Sequence, residues 1–210
     1  MRQQGLPFPK GRGGRREGAG RPRGARVSHH ARPKFGKPTP VHVTVRVRRH
    51  VWNLRSGRCH RRVGECLEAA AGKFGLRVIE YAVLGNHVHL IVEADDATAL
   101  ARGMQGLSIR IAKSLNGLMA RSGSVFDDHY DGRLLQTPTE LVRAIAYVLR
   151  NHEHHFGTRG RDLFSSDGLS ADQRQARLAV PLSWLLTAGW RRASPADLRR
   201  LRGSAFVGSG

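Results

Sequence analysis

Residues 76–93 constrain the fold most. Two strand-length apolar runs, LRVIEYAVL (76–84) and HVHLIVE (87–93), are separated only by Gly85-Asn86. A tight-turn dipeptide between two such runs specifies an antiparallel hairpin. VHVTVRVRRHV (41–51) alternates apolar and polar residues and reads as a further, half-buried strand. Between them, His60 to Phe74 places Val63, Cys66, Leu67, Ala70, Ala71 and Phe74 at helical spacing, and Gly75 is a helix stop. Ala97 to Arg121 repeats the helical pattern through Leu100, Met104, Leu107, Ile111, Leu115 and Leu118, and Ser122-Gly123-Ser124 breaks it. VFDDHYDGRLLQ (125–136) holds a turn and a short strand. Thr137-Pro138 opens a last helix, reaching about His154, with Thr137 as N-cap and Glu140 three residues later as its capping-box partner. The order β-α-β-β-α-β-α predicts an α+β chain: a ferredoxin-like, RRM-like antiparallel sheet with helices mainly on one face and the other face free for a ligand.

Charge narrows the partner. The 210 residues carry 36 Lys+Arg against 16 Asp+Glu, a formal net charge of +20. Such a chain is expected to bind a polyanion, nucleic acid first. Residues 1–37 alone hold 11 basic side chains and one acid, Glu17. This Gly-, Arg- and Pro-rich stretch buries too little apolar surface to order itself. Residues 1–40 are therefore expected to form a flexible basic arm, with Arg15, Arg16, Arg21, Arg23 and Arg26 as DNA contacts. Gly20-Arg21-Pro22 resembles the core of an AT-hook, which places Arg in a narrow minor groove. Residues 41–156 are expected to be the folded domain and 157–210 a partly irregular C-terminal extension. No apolar run approaches the ~20 residues of a membrane span, and no apolar run follows the basic N-terminus as in a secretory signal. Two cysteines, Cys59 and Cys66, make neither a disulfide framework nor a four-ligand zinc site. The expectation is a cytoplasmic protein, nucleoid-associated when on DNA, with no membrane partner.

His87 and His89 are two residues apart on a strand, so both imidazoles share one sheet face, while Val88 points into the core, as do Leu90 or Ile91 further on. Such a pair binds a divalent metal or is simply the polar side of an amphipathic strand. The chain has three tyrosines: Tyr81, Tyr130 and Tyr147. Tyr147 precedes Asn151 by four residues on the last helix, so hydroxyl and amide share a helix face. Asn151 can offer its carbonyl oxygen to the same metal as the histidines. Equally, Tyr147 can be a core aromatic and Asn151 an ordinary helix-end residue.

GNHVHLIVE, ALARGMQGLSIRIAKSLN, VFDDHYDGRLLQTPTEL and AYVLRN occur in this order and together resemble the REP-associated tyrosine transposases. These are single-tyrosine members of the HUH (His-hydrophobic-His) nuclease superfamily. HVTVRV (42–47) is similar to the family's first strand, and the likeness covers residues 41–155. DLFSSD (162–167) and PLSWLLTAGWRR (181–192) resemble a C-terminal extension found in some members. The resemblance implies that His87 and His89 are metal ligands, Asn151 the third ligand and Tyr147 the nucleophile. Where the family usually reads Tyr-Ile-x-x-Asn-Pro, this chain has Tyr-Val-Leu-Arg-Asn-His, with His152 in place of the Pro. The Tyr-to-Asn spacing is kept and the helix need not stop there.

The activity implied is nicking and joining of single-stranded or hairpin DNA through a 5′-phosphotyrosine, assisted by Mg²⁺ or Mn²⁺ and by no small-molecule cofactor. A metal suits the chemistry, because a free tyrosine (pKa about 10) is a poor nucleophile at neutral pH. Arg102, Arg110, Lys113 and Arg143 are candidate phosphate contacts or ordinary solvated helix faces. Monomer and homodimer are both open. A non-catalytic RRM-like nucleic-acid-binding module is the alternative of a different class, although aromatics are only 6% and the stacking strand of such domains is missing. A two-histidine phosphoesterase needs two H-x-[ST] motifs and finds one, His42-Val43-Thr44. A structural zinc site built from His152, His154, His155 and the HxH pair lacks a Cys pair.

Overall fold

The computed structural model describes residues 34–157, 159–201 and 206. The arm residues Arg15, Arg16, Arg21, Arg23 and Arg26 lie outside them.

Four strands form one antiparallel sheet in the order β2-β3-β1-β4. They are β1 (Thr39–Arg46), β2 (Leu76–Val83), β3 (His87–Ala94) and β4 (Asp131–Leu134). The α+β, ferredoxin-like sheet expected from the sequence is present. The hairpin turns at Gly85-Asn86, and Val83 pairs with Val88. β1 ends earlier than its alternation predicts, because the chain turns at Arg48, whose carbonyl accepts the Val51 N–H.

Helices α1 (Gly57–Ala70) and α2 (Ala97–Leu118) lie on one sheet face. Val41, Val43 and Val45 of β1 and Val88, Leu90 and Val92 of β3 pack there with Leu67, Met104, Leu107 and Leu115. Ser56 caps α1 and Asp96 caps α2 with side-chain oxygens. α1 stops three to four residues before the expected Phe74, since the chain then turns through positive φ at Gly72, Phe74 and Gly75.

Helix α3 (Pro138–Phe156) begins as expected. Thr137 and Glu140 form a reciprocal capping box with Pro138 at the first position. It runs through His152 to Phe156 and ends where Gly157 adopts the left-handed conformation, φ 66°. The absence of Pro after Asn151 thus leaves the helix one further turn. The expectation of helices on one face needs correction here, because α3 covers the opposite face. Leu141, Val142, Ile145 and Leu149 pack there against Ile79 and Ala82 of β2 and Ile91 of β3. The cause is in the hairpin: both strands are apolar on both faces, which is the pattern of strands covered from two sides. Ile91 therefore faces α3, and of the two core candidates after Val88 only Leu90 joins the α1/α2 core.

The C-terminal residues add α4 (Ala171–Arg177), α5 (Trp184–Thr187), α6 (Pro195–Leu198) and short 3-10 turns. They cover the outer edge of β2. Val83 N–H donates to Phe164 O (2.8 Å) and Ala179 N–H to Val78 O (2.8 Å). Such capping removes an open strand edge from solvent. Leu185, Leu186, Ala193 and Leu201 join the α3 core.

Candidate active site

Beyond Ile91, the face of β3 beneath α3 turns polar. His87 and His89 are both buried there, 8% and 5% exposed, with their Nε2 atoms 3.1 Å apart. β1 lies alongside and pairs Thr44 with His89 and Arg46 with His87. Period-2 alternation also puts His42 on this face. The His89 Nδ1 is 3.0 Å from Thr44 Oγ1 and 3.2 Å from His42 Nε2. The His87 Nδ1 is 2.7 Å from Asn86 Oδ1. These partners let each ring carry its proton on Nδ1, which would leave the two Nε2 atoms, 3.1 Å apart, unprotonated. That is the usual way a protein fixes the tautomer of a metal-binding histidine.

Electrostatics favour the same state. Burial, then the charges of Arg46 and His155, pushes the His87 imidazole down to about 4. Burial and the neighbours His87, His42, His155 and Arg46 push His89 down to about 3. Both are neutral at physiological pH, as ligation requires. Burial also lowers His42, with Asp131 opposing and Arg133 assisting.

α3 supplies the other two predicted residues. The Tyr147 ring stands edge-on to His89 and His42, with centroids 5.3 and 5.8 Å apart, and is 45% exposed. A substrate can therefore reach the ring from solvent while the histidines hold its inner edge. One turn on, Asn151 is 1% exposed, and neither its Oδ1 nor its Nδ2 has a hydrogen-bond partner. A buried amide with both polar atoms unpaired costs stability and needs a reason. The donor set fits a divalent ion: two neutral imidazole nitrogens and an unpaired buried amide oxygen one helical turn from the exposed tyrosine. Among the described residues no three His, Cys, Asp or Glu side chains form a metal site.

The other tyrosines are elsewhere. Tyr81 and Tyr130 belong to the core under α1 and α2, on the opposite face. The cation candidates separate as well. Arg102, Arg110 and Lys113 are exposed on α2, on the far side of the sheet from the histidines. Arg143 is on α3 one turn before Tyr147, but its guanidinium is paired with Asp197 at 2.8 Å. The sequence points to Thr44 through a phosphoesterase motif, to His155 through a zinc site and to Asn86 through a turn, whereas all three lie beside the histidine pair, the His155 ring 5.8 Å from His87. His42 and Thr44 had carried one usable signal: two polar residues on one face of a Val-rich strand.

Residues 39–133 match a family model described as "Transposase IS200 like". Over that segment the chain is similar to IS200-like transposases. The matched segment includes His42, His87 and His89 and ends before α3, so Tyr147 and Asn151 lie beyond it. The fold is similar to that of a solved REP-associated tyrosine transposase bound to a REP hairpin: TM-score 0.54, 14% identity, over 75% of this chain and 94% of that one. A structure described as a transposase from Deinococcus radiodurans R1 aligns with TM-score 0.40 and 14% identity over 55% of this chain and 90% of the other. No curated protein matches. Among the described residues no helix is long and apolar enough to cross a membrane.

Proposed function

We propose that this protein is a transposase that nicks and rejoins single-stranded or hairpin DNA with Tyr147 as the nucleophile. One observation carries the reading: the exposed Tyr147 ring stands against the buried His87/His89 pair, with the unpaired Asn151 amide on the same helix.

The Tyr147 oxygen attacks phosphorus in line with the bond to the 3′ oxygen. That bond breaks, the DNA keeps a free 3′-OH, and its 5′ phosphate remains on Tyr147 as a phosphotyrosine ester. The phenolic proton leaves as the 3′ oxygen takes one up, so no net proton is consumed. One phosphodiester replaces another, and a 3′-OH from the same or another strand reverses the step to join DNA. His87, His89 and Asn151 would hold Mg²⁺ or Mn²⁺. There it would supply Lewis-acid polarisation of the scissile phosphate and would offset charge building up during the displacement. Asn86, Thr44 and His42 contact the Nδ1 atoms of the two imidazoles and so favour the tautomer whose Nε2 would face an ion.

REP-type hairpins are the natural first substrates, given the fold shared with the hairpin-bound transposase and the basic N-terminal sequence. The protein then acts in the cytoplasm, on nucleoid DNA. The test is covalent trapping of labelled hairpin oligonucleotides on a denaturing gel. A metal-dependent protein–DNA band is expected, lost in Tyr147→Phe and weakened in His87→Ala. A band that survives Tyr147→Phe sinks the assignment.

A further inference from the structure

We propose a second, single-strand subsite in the groove between the start of β1 and Trp184, where a nucleobase stacks on Trp184 and the adjoining phosphates meet Lys34 and Lys37. This rests on the reading above that the substrate includes single-stranded DNA.

The groove encloses about 910 Å³ at the end of the sheet remote from the histidines. Phe35, Leu182 and Trp184 supply its apolar walls, and Lys34 and Lys37 are exposed on its rim. Leu182 and Trp184 remain 61% and 53% exposed. The Trp184 ring rests against Gly189, where an added Cβ would lie 2.6 Å from a ring carbon. The ring is thus backed by Gly189 and still half-exposed, a platform that loses little entropy when something stacks on it. The Arg192 guanidinium lies over the ring, 5.2 Å from its centroid, so a stacking base would displace it onto an adjoining phosphate.

Charge identifies the occupant. Two lysines and no acid line the groove. A second copy of this +20 chain would meet those cations with more cations. A single DNA strand offers what the walls and rim call for: a flat base edged by phosphate. The geometry connects to the active site. The groove reaches Gln136, beside the N-cap of α3, and Tyr147 lies ten residues along that helix, about 15 Å. A strand held on Tyr147 spans that distance in a few nucleotides.

The experiment uses the full chain and a fluorescent dT12 oligonucleotide, with binding followed by anisotropy at several salt concentrations. Trp184→Ala is expected to weaken binding about ten-fold and Trp184→Phe much less, as for loss of one stacked base. Lys34→Glu with Lys37→Glu should weaken binding and flatten the salt slope by about 1.4, two phosphates' worth. These lysines are exposed, so the pair tests the site even if Trp184→Ala fails to fold. Unchanged affinity and slope in the lysine variant overturns the subsite. So does a concentration-dependent dimer that Trp184→Ala dissolves, which would make the groove a protein interface. Covalent trapping at saturating oligonucleotide separates the two readings. Loss of stacking with the Tyr147 adduct intact supports both. An adduct without any effect of these variants removes the subsite alone. Stacking effects in a protein that never forms an adduct remove the Tyr147 chemistry alone.

Discussion

The two ends of a single strand face make opposite use of buried polar groups. On β3, His87, His89, Ile91 and Glu93 all point toward the side that α3 covers. At the far end Glu93 is fully buried and fully answered. Its carboxylate accepts from Arg77 Nε (2.7 Å), Leu182 N (2.8 Å) and Ser183 N (2.7 Å). Burial alone would raise its pKa, but hydrogen bonds from Ser183, Leu182 and Arg77 outweigh that and hold it below the usual carboxylate range. At the near end the two imidazoles face each other and Asn151 faces nothing. A satisfied cluster fastens the C-terminal segment to the sheet; an unsatisfied one is poised to accept something.

The largest expected difference between the ends is in chemistry. Tyr147→Phe should cut adduct formation at least about 1,000-fold, as removal of a nucleophile does. The hydroxyl belongs to a half-exposed side chain, so Tm should hardly move. A gel assay and a thermal melt on one preparation check both halves. Next in size is Glu93→Ala, which leaves the buried Arg77 guanidinium with only the half-exposed Asp95, 2.6 Å away. Breaking a buried pair from one side costs about 3–5 kcal/mol. Denaturant unfolding should show that loss, while fully folded protein at low temperature should still form the adduct. An adduct-dead but stable Glu93→Ala would erase the contrast between the ends.

Local signals account for much of this and fail where contacts are long-range. The Gly85-Asn86 hairpin, the Thr137–Glu140 capping box and the HxH alternation each depend on neighbours in sequence, and each is present in the structure. Tyr147 and Asn151 share a helix face for the same reason. The placement of α3 on the second sheet face was harder to read, although LRVIEYAVL and HVHLIVE are apolar on both sides. The expectation of an open face comes from the β-α-β-β-α-β-α order, which says nothing of where the last helix packs. Thr44 beside His89 depends on β1–β3 register, 45 residues apart, which no spacing rule supplies. The polar segment after residue 157 hides its purpose for a similar reason. Glu80 is answered by Arg174 at 2.7 Å and by the Ser166 hydroxyl, partners 94 and 86 residues away. A charge that reads as surface in sequence is buried by a partner far along the chain.

pH sharpens the comparison. The folded histidines titrate near 4 and 3, against about 6.5 in an unfolded chain. Below pH 6.5 the unfolded state therefore binds more protons than the folded one, and acid destabilises the protein. Stability should fall by up to about 1.4 kcal/mol per pH unit per histidine as pH drops from 6.5 toward 4. Glu93 adds its own loss only below the unfolded carboxylate range, about 4.3. Guanidinium titrations at pH 7.5, 6 and 5 should show the histidine slope, and His87→Gln with His89→Gln should flatten it. A slope unchanged in that variant would mean the near end is not where acid acts.

The smallest expected effect discriminates best. Asn151 sits among packed side chains with two polar atoms unpaired. Replacing it with a similar-sized apolar residue removes that desolvation cost and leaves no charge behind, unlike Glu93→Ala. Asn151→Leu should therefore be neutral or stabilising, by about 1 kcal/mol. The same change removes a proposed metal donor, so Mn²⁺ affinity measured by calorimetry or electron paramagnetic resonance should fall about 10-fold or more. Stability and ion binding moving in opposite directions is the signature of a residue kept for a ligand rather than for the fold. If Asn151→Leu destabilises the protein and leaves Mn²⁺ binding intact, the amide serves the α3 packing. The ion, if bound, would then rest on His87 and His89 with donors other than Asn151.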